Sequence, residues 1–543
     1  MPLPAGSVRM FDVVITGGEV YDGTGGPPAR ADVGIAGDRV VRIAPPGPDG
    51  PAEAATVIDA AGKAVCPGFI NILSHSYLSI LHDPRSLGEL TQGVTTEVFG
   101  EGISMGPLTP RLKAELQRNR HGLEYEVSWN RLGEYLRHVE SRGSSQNVAS
   151  FIGAGTLRAN AVGFDDRPAT AAELDRMRAL VAEEMADGAL GIASALIYPP
   201  GSYAGTGELI EVCRVAAGYD GCYASHIRSE GEDLPGALAE FLAIVRGAGL
   251  RGEVFHLKAA GRPHWDKMDG AIEQIEQARA AGDPVTADVY PYPASSTGLT
   301  SIIPERYHEG GPDALYDRLA DPGARAQIRA ELAASGRWGD ETEPANVLIL
   351  QVSSEQNRQW QGRTLAEIGA ERGCDPIEAA LDLIATDRSR VGSAFFSMSE
   401  DNLRKALRRP WVAISSDGAS MAPEGAFLQA PTHPRAYGSF ARVLGHYVRD
   451  EKLLTLADAI HRMSGLPAAT LGLPGRGLLR EGHYADVVVF DPAAVRDQAT
   501  FTDPHRLSAG ITEVLVNGQV TVSGGTFTGR LAGRALAGPG SRR

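Results

Sequence analysis

Cys222-Tyr223-Ala224-Ser225-His226, a helical stretch from Leu234 to Val245, and Val254-Phe255-His256-Leu257-Lys258 follow one another along the chain. A short β-rich run, an amphipathic helical run and a second β-rich run make the βαβ unit of a parallel sheet. The alternation extends in both directions. Val65 to Asn71, Val94 to Phe99, Val148 to Ile152 and Leu190 to Ala195 precede it, and Val285 to Tyr290 and Val412 to Ser416 follow. Between the third and fourth runs, Thr170 can cap a helix with Glu173 as reciprocal partner. Leu174, Met177, Leu180, Val181 and Met185 then fall on one face. Such an alternation predicts an α/β fold, a (β/α)8 TIM-like barrel over 67–474.

Both ends read differently. Phe11 to Thr16 before Gly17-Gly18, Ala31 to Ile35 before Gly37-Asp38, and Val40 to Ile43 alternate in the strand period. So do Ala485 to Phe490, and Ile511 to Val516 before Asn517-Gly518. Gly-Gly, Gly-Asp and Asn-Gly between such runs are hairpin signals. Each end alone is too small for a core, so the expectation is one small β-sandwich domain built from 1–66 and 475–543. The stretch of about 296–395 exceeds any barrel loop and predicts an insertion after strand seven. It contains an apolar strand, Val347 to Val352, and a helix near Ile377 to Ile384.

The 543 residues exceed one compact core, and the formal charge of -15, from 67 acids against 52 bases, disfavours nucleic acid and anionic membrane as partners. No apolar run is long enough to span a bilayer, and Met1 to Met10 lack the pattern of a leader. Cys66, Cys213, Cys222 and Cys374 stand apart without a CxxC pair, as in a reducing, cytoplasmic setting.

In such a barrel, chemistry sits beyond the carboxyl ends of the strands. Glu101 follows the second run in Phe99-Gly100-Glu101-Gly102. His226 closes the fifth, His256 the sixth, and Asp417 the eighth in Ile414-Ser415-Ser416-Asp417-Gly418. One such residue alone reads as a hydrogen-bonded core group. Independent core residues have no reason to share this register, so together they point to one centre. Two imidazoles and a carboxylate are the donor set of a catalytic zinc with one position left open. Asp417 is then free to take a proton from water.

Cys66-Pro67-Gly68-Phe69-Ile70-Asn71 resembles the PGFID segment ending the first barrel strand of the amidohydrolase superfamily. Gln92-Gly93-Val94-Thr95-Thr96-Glu97-Val98-Phe99-Gly100-Glu101-Gly102 resembles its N-acyl-D-amino-acid deacylase (D-aminoacylase) branch. So do Ser225-His226-Ile227-Arg228, Asp288-Val289-Tyr290-Pro291-Tyr292, Ser415-Ser416-Asp417-Gly418 and Thr432-His433-Pro434-Arg435, the matches running in order from Val14 to about Val522. The resemblance implies one tightly held zinc on Glu101, His226 and His256. It also implies that Arg435, Lys258, Tyr290 and Ser296 grip the substrate's α-carboxylate, for which arginine offers a bidentate fork. Relatives that bridge two metals do so through a modified lysine on strand four, and Leu190 to Ala195 contains none. Strand one departs from the family: Leu73-Ser74-His75-Ser76 lacks the first histidine of the usual H-x-H pair. The expectation is therefore one zinc, with room for a second, weakly held ion. His75 serves as a catalytic hydrogen-bonding or oxyanion-side residue. Arg228 is a candidate for orienting the ligands, Tyr198 and Tyr203 for lining the acyl pocket, and Asn402 has no assigned role.

The expected function is zinc-dependent hydrolysis of N-acyl-D-amino acids to a carboxylate and a free D-amino acid. Asp417 takes the proton of the attacking water and returns it to the leaving amine. The alternatives are a cyclic amidase of the hydantoinase or dihydroorotase kind, a peptidase releasing a carboxy-terminal D-residue, and a catalytically silent scaffold. The expected partner is a small-molecule N-acyl amino acid, with no nucleic acid and no membrane. A homo-oligomer, the side-chain preference and the acyl preference stay open.

Overall fold

The computed structural model describes residues 11–47, 53–118, 120, 122–334 and 343–542. Met1 to Met10, read above for a leader, lie outside these, as do 335–342 of the insertion. Eight β segments form the barrel: β1 (Phe69–Asn71), β2 (Val94–Phe99), β3 (Asn147–Ser150, continued by Ile152–Gly153), β4 (Gly191–Ala195), β5 (Cys222–His226), β6 (Arg251–Val254), β7 (Val285–Val289) and β8 (Val412–Ile414). Neighbours pair in parallel from β1 to β8. Phe151 N–H to the Phe99 carbonyl carries the ladder across the break in β3. A parallel bridge between Ser74 and Gly418, with His75 N–H to the Gly418 carbonyl and Asp417 N–H to the Leu73 carbonyl, closes the ring.

Strands covered on both faces carry apolar residues on both, which explains the hydrophobic runs in the sequence, although Glu97 of β2 and Glu253 of β6 are buried among them. Ile70, Ile72, Val98, Ala149, Phe151, Ala193, Ala224, Phe255 and Ala413 make one buried cluster. Met177, Val181 and Met185 of the helix Ala171–Ala186 join a larger one. Thr170 caps that helix with Glu173 as the sequence indicates. Two strands stop earlier than the apolar pattern does. β6 occupies Arg251–Val254 in place of 254–258, and β8 ends at Ile414; just beyond them His256 (φ 37°) and Asp417 (φ 48°) leave the extended conformation. Non-glycine residues in this left-handed region are held there by their surroundings, and such strain gathers at functional positions.

The two chain ends share one sheet. Its order is Thr526–Phe527, Gln519–Ser523, Ile511–Val516, Val487–Phe490, Ala64–Pro67, Phe11–Val20, Ala29–Ala36, Arg39–Ala44, with Ala54–Asp59 also beside Phe11–Val20. The last strand of that path curls back to the 482–485 segment through Val40 N–H to the His483 carbonyl, so the sheet encloses its own core. Ile15, Val33, Ile35, Val487, Val489 and Leu515 fill it. Asn517-Gly518 makes the expected hairpin. Gly17-Gly18 does not: Phe11–Val20 runs straight through it, with a bulge between Ile15 and Gly18. A glycine pair serves a bulge as readily as a turn. The end of the chain leaves the sheet, and Leu536 N–H bonds the Val148 carbonyl of β3.

After β7, Ser295–Gly298, Gly392–Phe395 and Val347–Gln351 form a three-stranded antiparallel sheet. Helices Pro312–Ala320, Pro322–Ala334, Leu365–Arg372 and Pro376–Asp387 accompany it. Its core is separate, built from residues such as Leu299, Leu315, Ile328, Ile349 and Leu381.

Candidate metal centre and active site

Glu101 hangs from the loop after β2, between Gly100 (φ 112°) and Gly102 (φ 61°). A Cβ on Gly100 would stand 2.5 Å from the Phe151 carbonyl oxygen, and one on Gly102 would stand 2.6 Å from the Ala195 Cβ. Only glycine on both sides lets the loop press its carboxylate over the barrel mouth. Glu101 Oε1 lies 3.0 Å from His226 Nδ1 and 3.2 Å from His256 Nε2. The two imidazoles stand edge to face with centroids 4.4 Å apart. The other carboxylate oxygen, Oε2, is 3.1 Å from His75 Nε2, which in turn is 2.9 Å from Asp417 Oδ1.

Asp417 Oδ2 accepts from Arg435 Nη1 at 2.6 Å, and Arg435 Nη2 donates to the Ser296 carbonyl at 3.2 Å. The guanidinium lies 4.8 Å over the Tyr290 ring, and Lys258 Nζ is 5.7 Å from the same ring. The residues expected to hold the metal, handle the proton and bind the carboxylate therefore lie around one mouth, though with two changes of partner. Ser296 meets Arg435 with its backbone carbonyl. Lys258 is tied to Glu230 Oε1 at 2.5 Å and to His256 Nδ1 at 2.7 Å.

Charges balance around this cluster. Burial works against the Glu101 carboxylate, yet hydrogen bonds from His226, His256 and His75 hold it well below the usual carboxyl range. Burial likewise opposes ionisation of Asp417, and Arg435 and His256 bring it down to about 2. For His75, burial disfavours the charged ring, but Asp417 and Glu101 carry it up to about 9.

The donor geometry suits a metal. An ion about 2.05 Å from each tetrahedral ligand places the ligands about 3.3 Å apart. The 3.0 and 3.2 Å separations of Glu101 Oε1 from the two ring nitrogens are close to that edge. Both carboxylate oxygens of Glu101 face donor groups: Glu101, His226 and His256 on one side, His75, Glu101 and Asp417 on the other. The outer face of His256 is also fixed, since its Nδ1 lies 2.9 Å from Glu230 Oε1. Partners on the far ring nitrogen orient metal-binding histidines.

The model of the amidohydrolase family matches residues 283–522. The chain is 36% identical to the D-aminoacylase of Alcaligenes xylosoxydans xylosoxydans, over 97% of this chain and 98% of that protein. It is also 36% identical to the N-acyl-D-glutamate deacylase of the same organism, over 94% of this chain and 93% of that one. The chain belongs to the N-acyl-D-amino-acid deacylase family of amidohydrolases. Among solved structures, the N-acyl-D-glutamate deacylase of Bordetella bronchiseptica, complexed with zinc and a phosphonate mimic of the tetrahedral intermediate, superimposes with a TM-score of 0.81. It is 33% identical, covering 97% of this chain and 99% of that one.

Within this deacylase fold, sequence reasoning overlooked Glu230. It faces His256, Lys258 and, at 3.7 Å, His226 Nε2. Its only signal was its place four residues after His226, in a loop without periodicity. Asp288 accepts the His256 backbone N–H at 3.1 Å and the Ser415 hydroxyl, which fixes the bend at His256. His433 braces the turn at Arg435, accepting the Arg435 N–H at Nδ1 while its Nε2 bonds the Ala294 carbonyl. Arg228 does not reach the ligands: it binds Glu240 and the carbonyls of Ser202 and Ala204, and so braces a loop. Tyr198 stands against His226, whereas Tyr203 bonds the Glu305 carbonyl. Asn402 donates to the Trp265 carbonyl, a structural bond.

Proposed function

We infer that this chain is a metal-dependent hydrolase that cleaves the amide of N-acyl-D-amino acids, releasing a carboxylate and the free D-amino acid. The observation that carries the reading is Glu101 Oε1 set between His226 Nδ1 and His256 Nε2, with His75 linking the same carboxylate to Asp417 and Arg435 bonded to Asp417 in turn. The named relatives are deacylases of D-amino acids, which supports both the reaction and its handedness.

In this reading Glu101, His226 and His256 hold one zinc ion, and His75, Glu101 and Asp417 offer a second, weaker position. Bound there, zinc supplies Lewis-acid polarisation of the amide carbonyl and of the attacking water. Asp417 takes the proton of that water and delivers it to the departing nitrogen, which must leave protonated. His75, bonded to the Asp417 carboxylate, orients it. Arg435 sits where it can exchange its contacts for a substrate α-carboxylate, and Tyr290, Ser296 and Lys258 surround that position. Lys258 contributes chiefly charge, because Glu230 already occupies its ammonium.

The proposed organisation is a hydrolase barrel over 67–474, with an insertion at about 296–395 and a small β unit from 1–66 and 475–543. The shared sheet of the chain ends supports the β unit. The free cysteines, three of them buried, support a reducing, cytoplasmic location. Among the described residues no helix is long and apolar enough to cross a membrane.

The test is a panel of N-acetyl-D-amino acids, their L-enantiomers and hydantoins, each with and without a chelator. Hydrolysis confined to the D-series, lost on chelation and recovered with zinc, is the expected result. Turnover of hydantoins in place of linear amides would sink the reading.

A further inference from the structure

One arginine near the barrel mouth has no acid beside it. Arg390 precedes the strand Gly392–Phe395 and is exposed, and among the described residues no carboxylate pairs with it. Its neighbour Arg388, by contrast, pairs with Asp317.

An exposed arginine without a partner commonly waves in solvent, but this one is held. Its stem crosses Gly298, where a Cβ would stand 2.7 Å from the Arg390 Cβ and 2.9 Å from its Nε. Nη2 donates to the Thr297 hydroxyl at 3.2 Å, and the guanidinium carbon lies 5.1 Å over the Tyr198 ring. The Tyr198 hydroxyl bonds the same Thr297 oxygen at 2.6 Å, while its ring stands edge-on to His226 with centroids 5.4 Å apart. One aromatic ring thus separates a positioned cation from a metal-binding imidazole. Thr297 directly follows Ser296, whose carbonyl receives Arg435. The Arg390 charge is also felt at Tyr77, in the loop after β1, and at His308 in the insertion.

We propose that Arg390 receives the side-chain carboxylate of an acidic substrate, making N-acyl-D-glutamate or N-acyl-D-aspartate the preferred substrate class. Its described partners are a hydroxyl and an aromatic face. Neither neutralises it, and part of its planar fork of N–H donors stays available for a carboxylate. Arg435 and Arg390 then divide the labour: one takes the α-carboxylate, the other the distal one. The proposal rests on the deacylase reading above.

The experiment compares kcat/KM for the N-acetyl derivatives of D-glutamate, D-aspartate, D-glutamine and D-leucine in the zinc-loaded wild type, Arg390→Gln and Arg390→Lys. The wild type is expected to favour an acidic substrate over D-glutamine. In Arg390→Gln the acidic-to-neutral ratio should fall on the order of tenfold to a hundredfold, mainly through KM, as for the loss of a charged hydrogen bond. Arg390→Lys should recover part of it. A wild type that prefers neutral substrates, or an Arg390→Gln ratio equal to the wild type's, overturns the proposal and leaves the deacylase reading standing. A zinc-loaded wild type that hydrolyses none of the D-series overturns both.

Discussion

Glu101 offers one carboxylate oxygen to His226 and His256 and the other to His75, so a single side chain joins the proposed metal ligands to the pair proposed to handle the proton. Asp417 stands outside the three-ligand set, and its two parts can be separated by experiment. Asp417→Asn should keep its zinc, measured by metal analysis, while turnover falls by about 10²–10⁴, the scale of a lost acid–base group. Glu230 acts through His256 and Lys258. Glu230→Gln should weaken zinc binding by about 10–100-fold in competition with a chelator, with activity partly restored by excess zinc. Glu101, His226, His256 and Asp417 were legible as one group because each stands at or shortly past the carboxyl end of a barrel run. Glu230 was not, because its partners are named only by folding, which brings the β5 loop against the end of β6. The Lys258–Glu230 and Arg435–Ser296 pairings were hidden for the same reason.

At the scale of elements, most barrel strands were legible because strands buried on both faces are rich in apolar and β-branched residues; β6 was misplaced by three residues because Arg251-Gly252-Glu253-Val254 lacks that signal. The strand ends at His256 and Asp417 were not legible, since a positive φ on a non-glycine residue leaves no mark in composition. The bulge at Gly17-Gly18 was hidden too, because a glycine pair fits a turn equally well. One inter-helix contact makes a prediction about pH. Glu184, in the helix Ala171–Ala186, accepts the Leu132 N–H at the start of the helix Leu132–Arg142. Burial raises its carboxyl from 4.5 to about 7, against the pull of that N–H and of Arg131. Because the folded protein binds this proton more tightly than the unfolded chain, the stability linked to it is complete below about pH 4.5. That stability is lost as pH rises through about 7, by an amount on the order of 3 kcal/mol. Glu184→Gln should flatten that part of the profile, read as thermal midpoints at pH 5 and pH 8. An unchanged slope would place the pH dependence elsewhere.

Over the whole molecule, the ends of the chain clamp the barrel. The ends share a sheet, and the terminal segment then lies along β3, with Arg534 N–H on the Asn147 side chain and Leu536 N–H on the Val148 carbonyl. Removing residues 531–543 should lower the thermal midpoint by a few degrees, on the order of that set by a few lost hydrogen bonds. A midpoint unchanged in the truncated chain would make the tail an ornament. Stripping the metal should lower the midpoint as well, because an ion that binds only the folded state stabilises it, and added zinc should restore it. The account depends most on Glu101, His226 and His256 gripping one ion. The most direct measurement is anomalous diffraction at the zinc edge from crystals of the zinc-loaded protein. The account expects one strong peak about 2.0–2.2 Å from Glu101 Oε1, His226 Nδ1 and His256 Nε2. A zinc bound elsewhere, with those three side chains turned apart, would contradict it.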